Sequence, residues 1–298
     1  MSAPLKSDPI ATAPRGLDHL VIGVSDIEKA AEFYTRLGFE VGARNRHPWG
    51  TENRIVQFPG CFLELISIGD AAAIAEPAPR QFSFGAFVRD ALSRGEGMSM
   101  LVLESADAEG DAAAFKRAGI GDYEPFFFER QARRPDGSQV RVAFRLAFAA
   151  DPAAPECGFF VCQQLEPQNF WNPEFQRHGN GATGIAAAIM LADRPELHRA
   201  FLTTFTGGAE VLEGNEDYVL SLPRGRIDVL DGVAAGAIYG VEPETTPARF
   251  LGFAVSLPDL DALAARLDGE EIAFARHEER LVVPAEAAMG CVIAFERG

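Results

Sequence analysis

Apolar and polar positions follow one pattern four times along this chain. Each copy is a short aliphatic run ending at an Asp, then an alanine-rich stretch with helical spacing, then a Gly. The runs are LDHLVIGVSD ending at Asp26, MSMLVLESAD at Asp107, GIAAAIMLAD at Asp193 and FLGFAVSLPD at Asp259. Gly38, Gly119, Gly207 and Gly269 close the copies. Self-similarity of this kind implies a protein assembled from four copies of one β-α unit.

In the first unit, Leu17 to Val24 is a β-branched and aliphatic run that predicts a strand. Ser25 and Glu28 have capping-box spacing, and Asp26 adds a carboxylate at the positive helix end. Ala30, Phe33, Tyr34 and Leu37 recur at helical spacing, and Gly38 suits the left-handed residue after a helix. Strands are predicted over 39–44, 54–58 and 61–68, with Pro59-Gly60 turning the last two. The second unit repeats this β-α-β-β-β order: strand 99–104, helix 108–118, and strands 123–130, 139–149 and 158–164, with a turn at Pro135-Asp136-Gly137. Residues 84–93 predict an extra helix between units one and two. The third unit has a helix over 195–205 and strands near 209–212, 218–222 and 226–230. The fourth starts at Phe250, with a helix over 260–267.

The expected organisation is a disordered lead-in over 1–15, rich in Pro, Ala and Ser, and an N-terminal domain over 16–165. A connector over 166–182, rich in Asn, Gly and aromatic residues, leads to a C-terminal domain over 183–298. A length of 298 residues accommodates two ordinary domains. The net charge of −16 argues against nucleic acid and anionic membrane as partners, because the bulk field repels phosphate. Cys61, Cys157, Cys162 and Cys291 show no zinc spacing and read as buried, reduced thiols. No apolar run is long enough to span a membrane, and the first residues lack an apolar signal core, so the expected location is cytoplasmic.

Four βαβββ modules taken in pairs resemble the vicinal oxygen chelate superfamily, in its glyoxalase-like branch. The opening LDHLVIGVSDIEKAAEFYTRLGFEV is similar to that family's first strand and helix, and HPWGTEN and FLELI resemble further pieces of glyoxalase-like proteins. The resemblance covers the chain after residue 15 and is strongest in unit one. It implies an α+β fold in which the modules form two cupped mixed sheets of the glyoxalase and dihydroxybiphenyl-dioxygenase type. It also implies a divalent metal ion, held by the first and last strand of each module, that chelates neighbouring substrate oxygens. Isomerases, lyases, epimerases, extradiol dioxygenases and non-catalytic antibiotic-binding proteins share this fold, so the fold does not choose an activity.

Strand alternation then asks which positions kept ligands. Leu20, Ile22 and Val24 share one face, and His19 falls on the other with Val21 and Gly23. Glu64 sits opposite Leu63 and Leu65, so His19 and Glu64 face one concave side and suit a divalent ion. Counting seven residues back from each Asp gives His19, Met100, Ala186 and Gly252. The expected last-strand equivalents of Glu64 are Gln163, Asp228 and Ala294, with Cys162 and Gln164 as alternatives to Gln163. The candidate metal ligands are therefore His19, Glu64 and Gln163, with Met100 a departure from the family pattern. The C-terminal half keeps Asp228 alone.

A second constellation is His47, Trp49, Gly50, Thr51, Asn53 and Arg54, which the resemblance places at the cavity mouth. His47 suits an acid-base role beside Glu64. Trp49, Thr51, Asn53 and Arg54 are candidate substrate contacts. The plainer reading of Thr51 and Asn53 is local backbone capping. Arg130, Arg133, Arg134, Arg141 and Arg145 suit either an anionic ligand or a solvated hairpin, and the hairpin reading is preferred. Phe126-Phe127-Phe128 and Phe159-Phe160 read as core or cavity lining. His198 and His277 read as solvated, and Trp171, with Asn172 and His178, as a plug at one cavity end.

Two functions follow. The first is a metal-assisted lyase, isomerase or dioxygenase-like enzyme acting on a small oxygenated molecule in the N-terminal cup. The second is a metal-free binding protein that sequesters an apolar ligand there. A homodimer is compatible with either, and the C-terminal half reads as support.

Overall fold

A computed structural model describes residues 13–133, 137–214, 217–241 and 247–298, with the backbone alone at Arg133. Most of the lead-in, Arg134 and the Pro135-Asp136 part of the expected turn lie outside the described residues. The first unit comprises β1 (Leu17–Gly23), α1 (Ile27–Arg36), β2 (Asn45–Arg46), β3 (Thr51–Phe58) and β4 (Cys61–Ile68), and α2 (Phe84–Arg94) follows it. The second is β5 (Gly97–Glu104), α3 (Ala108–Ala118), β6 (Phe126–Arg133), β7 (Gln139–Ala149) and β8 (Gly158–Gln164). A short α4 (Pro167–Phe170) leads to the third: β9 (Gly184–Leu191), α5 (Arg199–Phe205), β10 (Glu210–Glu213), β11 (Tyr218–Ser221) and β12 (Arg226–Leu230). After α6 (Gly232–Tyr239), the fourth is β13 (Arg249–Leu257), α7 (Leu260–Gly269), β14 (Ala275–His277), β15 (Arg280–Val283) and β16 (Val292–Arg297).

Paired units form two eight-stranded mixed sheets, β2-β3-β4-β1-β5-β8-β7-β6 and β10-β11-β12-β9-β13-β16-β15-β14. The fold is α+β, with two cups. Asp26, Asp107 and Asp259 cap the helices that follow them, because each carboxylate accepts free N–H groups of the first turn. Asp26 rather than Ser25 is therefore the cap of α1. In the third unit the capping position holds Arg194, whose side chain makes no capping bond, and the first turn tightens to a 3-10 helix. The Asp193 marker is thus one residue out of phase. The strand expected over 39–44 is irregular chain ahead of the two-residue β2.

The two central strands of each sheet run antiparallel, and each carries one extra residue against its partner. The extra residues are Asp18 in β1, Ser99 in β5, Ala186 in β9 and Leu251 in β13. A bulge at the same place in all four units shows that it belongs to the module itself.

One core joins the backs of both sheets. Leu20, Ile22 and Leu101 from the first pack in one cluster with Ala188, Phe253 and Val255 from the second, flanked by Phe33, Phe115, Phe205 and Leu263 of the helices. Each cup receives the helix that follows its first unit. In the C-terminal cup, Ala235 and Tyr239 of α6 pack on Ala187, Ile189, Leu251 and Ala294. In the N-terminal cup, Phe84 and Val88 of α2 pack on Val21, Met100, Val102 and Phe160.

The chain between the sheets is pinned by His178, whose Nδ1 accepts the Glu40 N–H (3.0 Å) and whose Nε2–H donates to the Gln57 carbonyl (2.9 Å). Both nitrogens are committed to the neutral ring, and burial holds its pKa below the ordinary 6.5. The unfolded chain takes that proton more readily. The stabilisation is therefore complete above pH 6.5 and is lost as pH falls through the folded value. The melting temperature of the wild type should fall more steeply between pH 7.5 and 5.5 than that of His178→Gln. Parallel slopes would show that His178 carries no such linkage.

Candidate active site

Parallel pairing of first and last strands fixes the four positions from which a metal would be held. His19 pairs with Phe62, and Glu64 lies two residues on. In the second unit Met100 pairs with Gly158, and two residues on is Phe160. The corners of the N-terminal cup are therefore His19, Glu64, Met100 and Phe160. This corrects Gln163. Its Oε1 accepts the Ala108 N–H (3.2 Å) and its Nε2 donates to the Ala106 carbonyl (2.8 Å), so it serves the start of α3 rather than the cup. Of its two alternatives, Cys162 lines the cavity and Gln164 donates to Asp18 (2.9 Å).

In the other cup the same pairing gives Ala187, Asp228, Gly252 and Ala294. Ala187 replaces the expected Ala186, which is the bulge residue. Asp228 accepts from Arg226 (2.9 Å) and from the Tyr239 hydroxyl, and Arg226 and Arg280 also hold Glu296. A Cβ at Gly252 would lie 1.9 Å from the Val292 carbonyl oxygen, so no ligand side chain fits at that corner. The C-terminal cup is filled by its own helix, and its corner carboxylate, Asp228, is committed.

The N-terminal cup keeps a cavity of about 70 Å³ that opens to solvent at its mouth. Its walls are apolar: Phe62, Phe84, Phe128, Phe144, Phe160, Phe170, Ile55, Ile66 and Leu146. His19, His47, Trp49, Asn53, Glu64, Arg130 and Cys162 supply the polar groups.

His19 lies flat on Phe62, with ring centroids 4.2 Å apart, and edge-on to Phe160. Strict alternation would send its neighbour Asp18 to the opposite face. The bulge brings both to the cup side. Asp18 Oδ1 sits 2.6 Å from His19 Nδ1, and Asp18 and His19 are 3% and 4% exposed, so the pair is out of bulk water. The carboxylate fixes the ring and keeps its proton on Nδ1, which leaves Nε2 facing Glu64 Oε2 at 3.8 Å. Glu64 is held in turn: its Oε1 accepts from Asn53 Nδ2, and Asn53 Oδ1 accepts from Asn45 (3.0 Å).

His47 stacks on Trp49 (4.6 Å), its Nδ1 is 2.8 Å from the buried Thr51 hydroxyl, and its Nε2 is 3.4 Å from Asn53. Burial lowers its pKa, so the ring is neutral near pH 7. Thr51 therefore reaches the cavity only through His47. Arg54 is not in the cavity. Odd positions of β3 face the cup, and Arg54 on the other face binds the Gly42 carbonyl (2.9 Å) and Glu28 (2.7 Å).

Arg141 pairs with Glu129 and Glu166, and Arg145 with Glu109, as a solvated hairpin would have them. Arg130 departs from that reading. It shares the inward face of β6 with Phe126 and Phe128 and lines the cavity. Phe170 of α4 closes one side, while Trp171 lines the groove outside. His198, expected in solvent, is 3% exposed and sits 2.7 Å from Asp151.

Sequence reasoning missed Asp18 and Phe170, and it set Arg130 with the solvated hairpin in preference to an anion site. The Phe126, Phe128, Arg130 alternation was a usable signal. The Asp18 bulge had none in a single unit.

The donors do not fit the family's divalent ion. Two of four corners are a thioether and a phenyl ring, and burial pushes the Cys162 thiol well up, so it stays protonated. Among the described residues no three His, Cys, Asp or Glu side chains converge to hold an ion.

A family model described as a glyoxalase-like domain matches residues 17–206. No curated protein matches the sequence. Among solved structures, a hypothetical protein from Staphylococcus aureus is similar with a TM-score of 0.66 at 11% identity, over 95% of this chain and 100% of that one. A xylose isomerase-like TIM barrel/4-hydroxyphenylpyruvate dioxygenase fusion protein gives 0.53 at 14% identity, over 98% of this chain and 50% of that one. A mutant of 4-hydroxymandelate synthase from Streptomyces coelicolor gives 0.50 at 11% identity, over 89% and 77%. At such identities these likenesses concern the fold, which is that of the vicinal oxygen chelate proteins. With more than half its length matched by the family model, the chain belongs to the glyoxalase-like domain family.

Proposed function

We propose that this protein is an enzyme that moves a proton on a small oxygenated organic molecule held in the N-terminal cup, and that it does so without a divalent metal ion. The observation that carries this reading is the buried Asp18–His19 pair aimed at Glu64 inside an apolar cavity. His19 Nε2 takes a proton from a carbon next to a carbonyl. Asp18 stabilises the imidazolium that forms, and Glu64 faces it from the other side. The apolar walls exclude water, which strengthens these charge interactions. Neutral His47, anchored by Thr51, positions Asn53 and through it Glu64. Such proton transfer supports isomerisation, epimerisation or elimination.

The second reading, metal-free sequestration, is favoured by the phenylalanine walls and the loss of half the metal corners. Deuterium exchange separates the two. Small aryl and alkyl ketones and aldehydes with an α C–H are incubated with the protein in deuterium oxide and followed by proton NMR. The enzyme reading expects protein-dependent loss of the α-proton signal of at least one compound, slowed about 10²- to 10⁴-fold in His19→Gln. Saturable binding with no exchange would leave the sequestering role.

Metal content supplies an independent check. After dialysis against mixed divalent ions, the purified protein should hold far less than one ion per chain, and His19→Ala should hold the same. Stoichiometric metal that disappears in His19→Ala or Glu64→Gln would restore the metal-assisted mechanism.

A further inference from the structure

Arg130 makes no hydrogen bond or ion pair with any described residue, although it is half-buried at the cavity of a chain with sixteen more acidic than basic side chains. Arg141 and Arg145 on the same hairpin are engaged with carboxylates. The two acids of the cup are committed elsewhere, Glu64 to Asn53 and Asp18 to His19 and Gln164. A guanidinium presents five N–H donors in a planar fork, and leaving them unmet beside phenyl rings is costly. Burial accordingly disfavours its charge, and the Glu64 carboxylate offsets that only in part.

Arg130 lines both the cavity and the larger groove outside it, so its donors stand at the boundary between them. On the wall nearby, the buried Trp49 Nε1 is a second donor with no acceptor, next to Phe128. Two unfilled donors on an otherwise apolar wall define the missing partner as an anionic oxygen group carried on an apolar body.

We propose that the cavity takes a small organic monocarboxylate: the carboxylate is gripped by Arg130 at the mouth, and the ring-bearing body lies among Phe62, Phe128 and Phe160 towards His19. This rests on the cup being the ligand site. A single guanidinium offers one positive charge to a ligand, and a phosphate dianion would bring a second negative charge into apolar surroundings.

The test is binding, read without turnover. Benzoate, phenylacetate and 3-phenylpropionate are titrated beside their methyl esters and phenyl phosphate, by calorimetry and ligand-observed NMR. The proteins are wild type, Arg130→Gln, Arg130→Lys and the hairpin control Arg141→Gln, each with its fold checked by circular dichroism. At least one acid should bind the wild type about ten- to a hundred-fold more tightly than its ester. Arg130→Gln should erase that preference and keep the ester affinity. Arg130→Lys should keep part of it, and Arg141→Gln all of it. Equal binding of acid and ester, a preference that survives in Arg130→Gln, phenyl phosphate binding more tightly than every acid, or no acid bound by the folded wild type would each overturn the proposal. Carboxylate preference without deuterium exchange would retire the proton-transfer reading and leave this one standing. Exchange confined to neutral carbonyls would do the reverse.

Discussion

The arrangement of the N-terminal cup depends on one extra residue in a strand. Alternation sends Asp18 and His19 to opposite faces of a regular β1, where an acid could neither touch nor orient the imidazole. The bulge breaks that alternation and puts both on the cup side, 2.6 Å apart and buried. The same bulge recurs at Ser99, Ala186 and Leu251, which offer a hydroxyl, a methyl and an isobutyl group in place of the carboxylate. A feature built into all four modules thus sets a carboxylate beside a histidine in the first alone.

The two cups show what happens to a shared architecture when its corners are replaced. In the C-terminal cup, Ala187, Gly252 and Ala294 leave space that Ala235 and Tyr239 of α6 fill, and Tyr239 and Arg226 neutralise Asp228. That half becomes core and supports the other through the joined sheet backs. In the N-terminal cup, α2 covers the Met100 and Phe160 corners and stops short of His19 and Glu64. The polar half of the cup remains hollow.

Much of this was legible in the sequence. The four-fold Asp marker gave the modules, because an acid caps the helix after the first strand in three of the four, and the family resemblance gave their pairing and the α+β class. Alternation also placed His19 and Glu64 on one face. Counting failed wherever the chain departs from regular spacing. Gln163 was three residues from the true corner because the register of β8 against β5 is set by their pairing, which the strand's own pattern does not show. Ala186 was one residue off because Arg194 holds the capping position. The partner of Arg130 could not be read, since whether an arginine meets a carboxylate or a cavity is decided by its face and by neighbours distant in sequence. Asp18 required the bulge, which shows only in the pairing of β1 with β5.

The central claim is that Asp18 holds the His19 ring with its proton on Nδ1 and Nε2 turned to the cavity. Nitrogen-15 NMR of the labelled imidazole reads that tautomer directly, in the wild type and in Asp18→Asn. The expected spectrum shows a protonated Nδ1 and a bare Nε2 in the wild type, with the preference lost in Asp18→Asn. A wild-type proton residing on Nε2, or a tautomer indifferent to Asp18, would contradict the proposed chemistry at its origin.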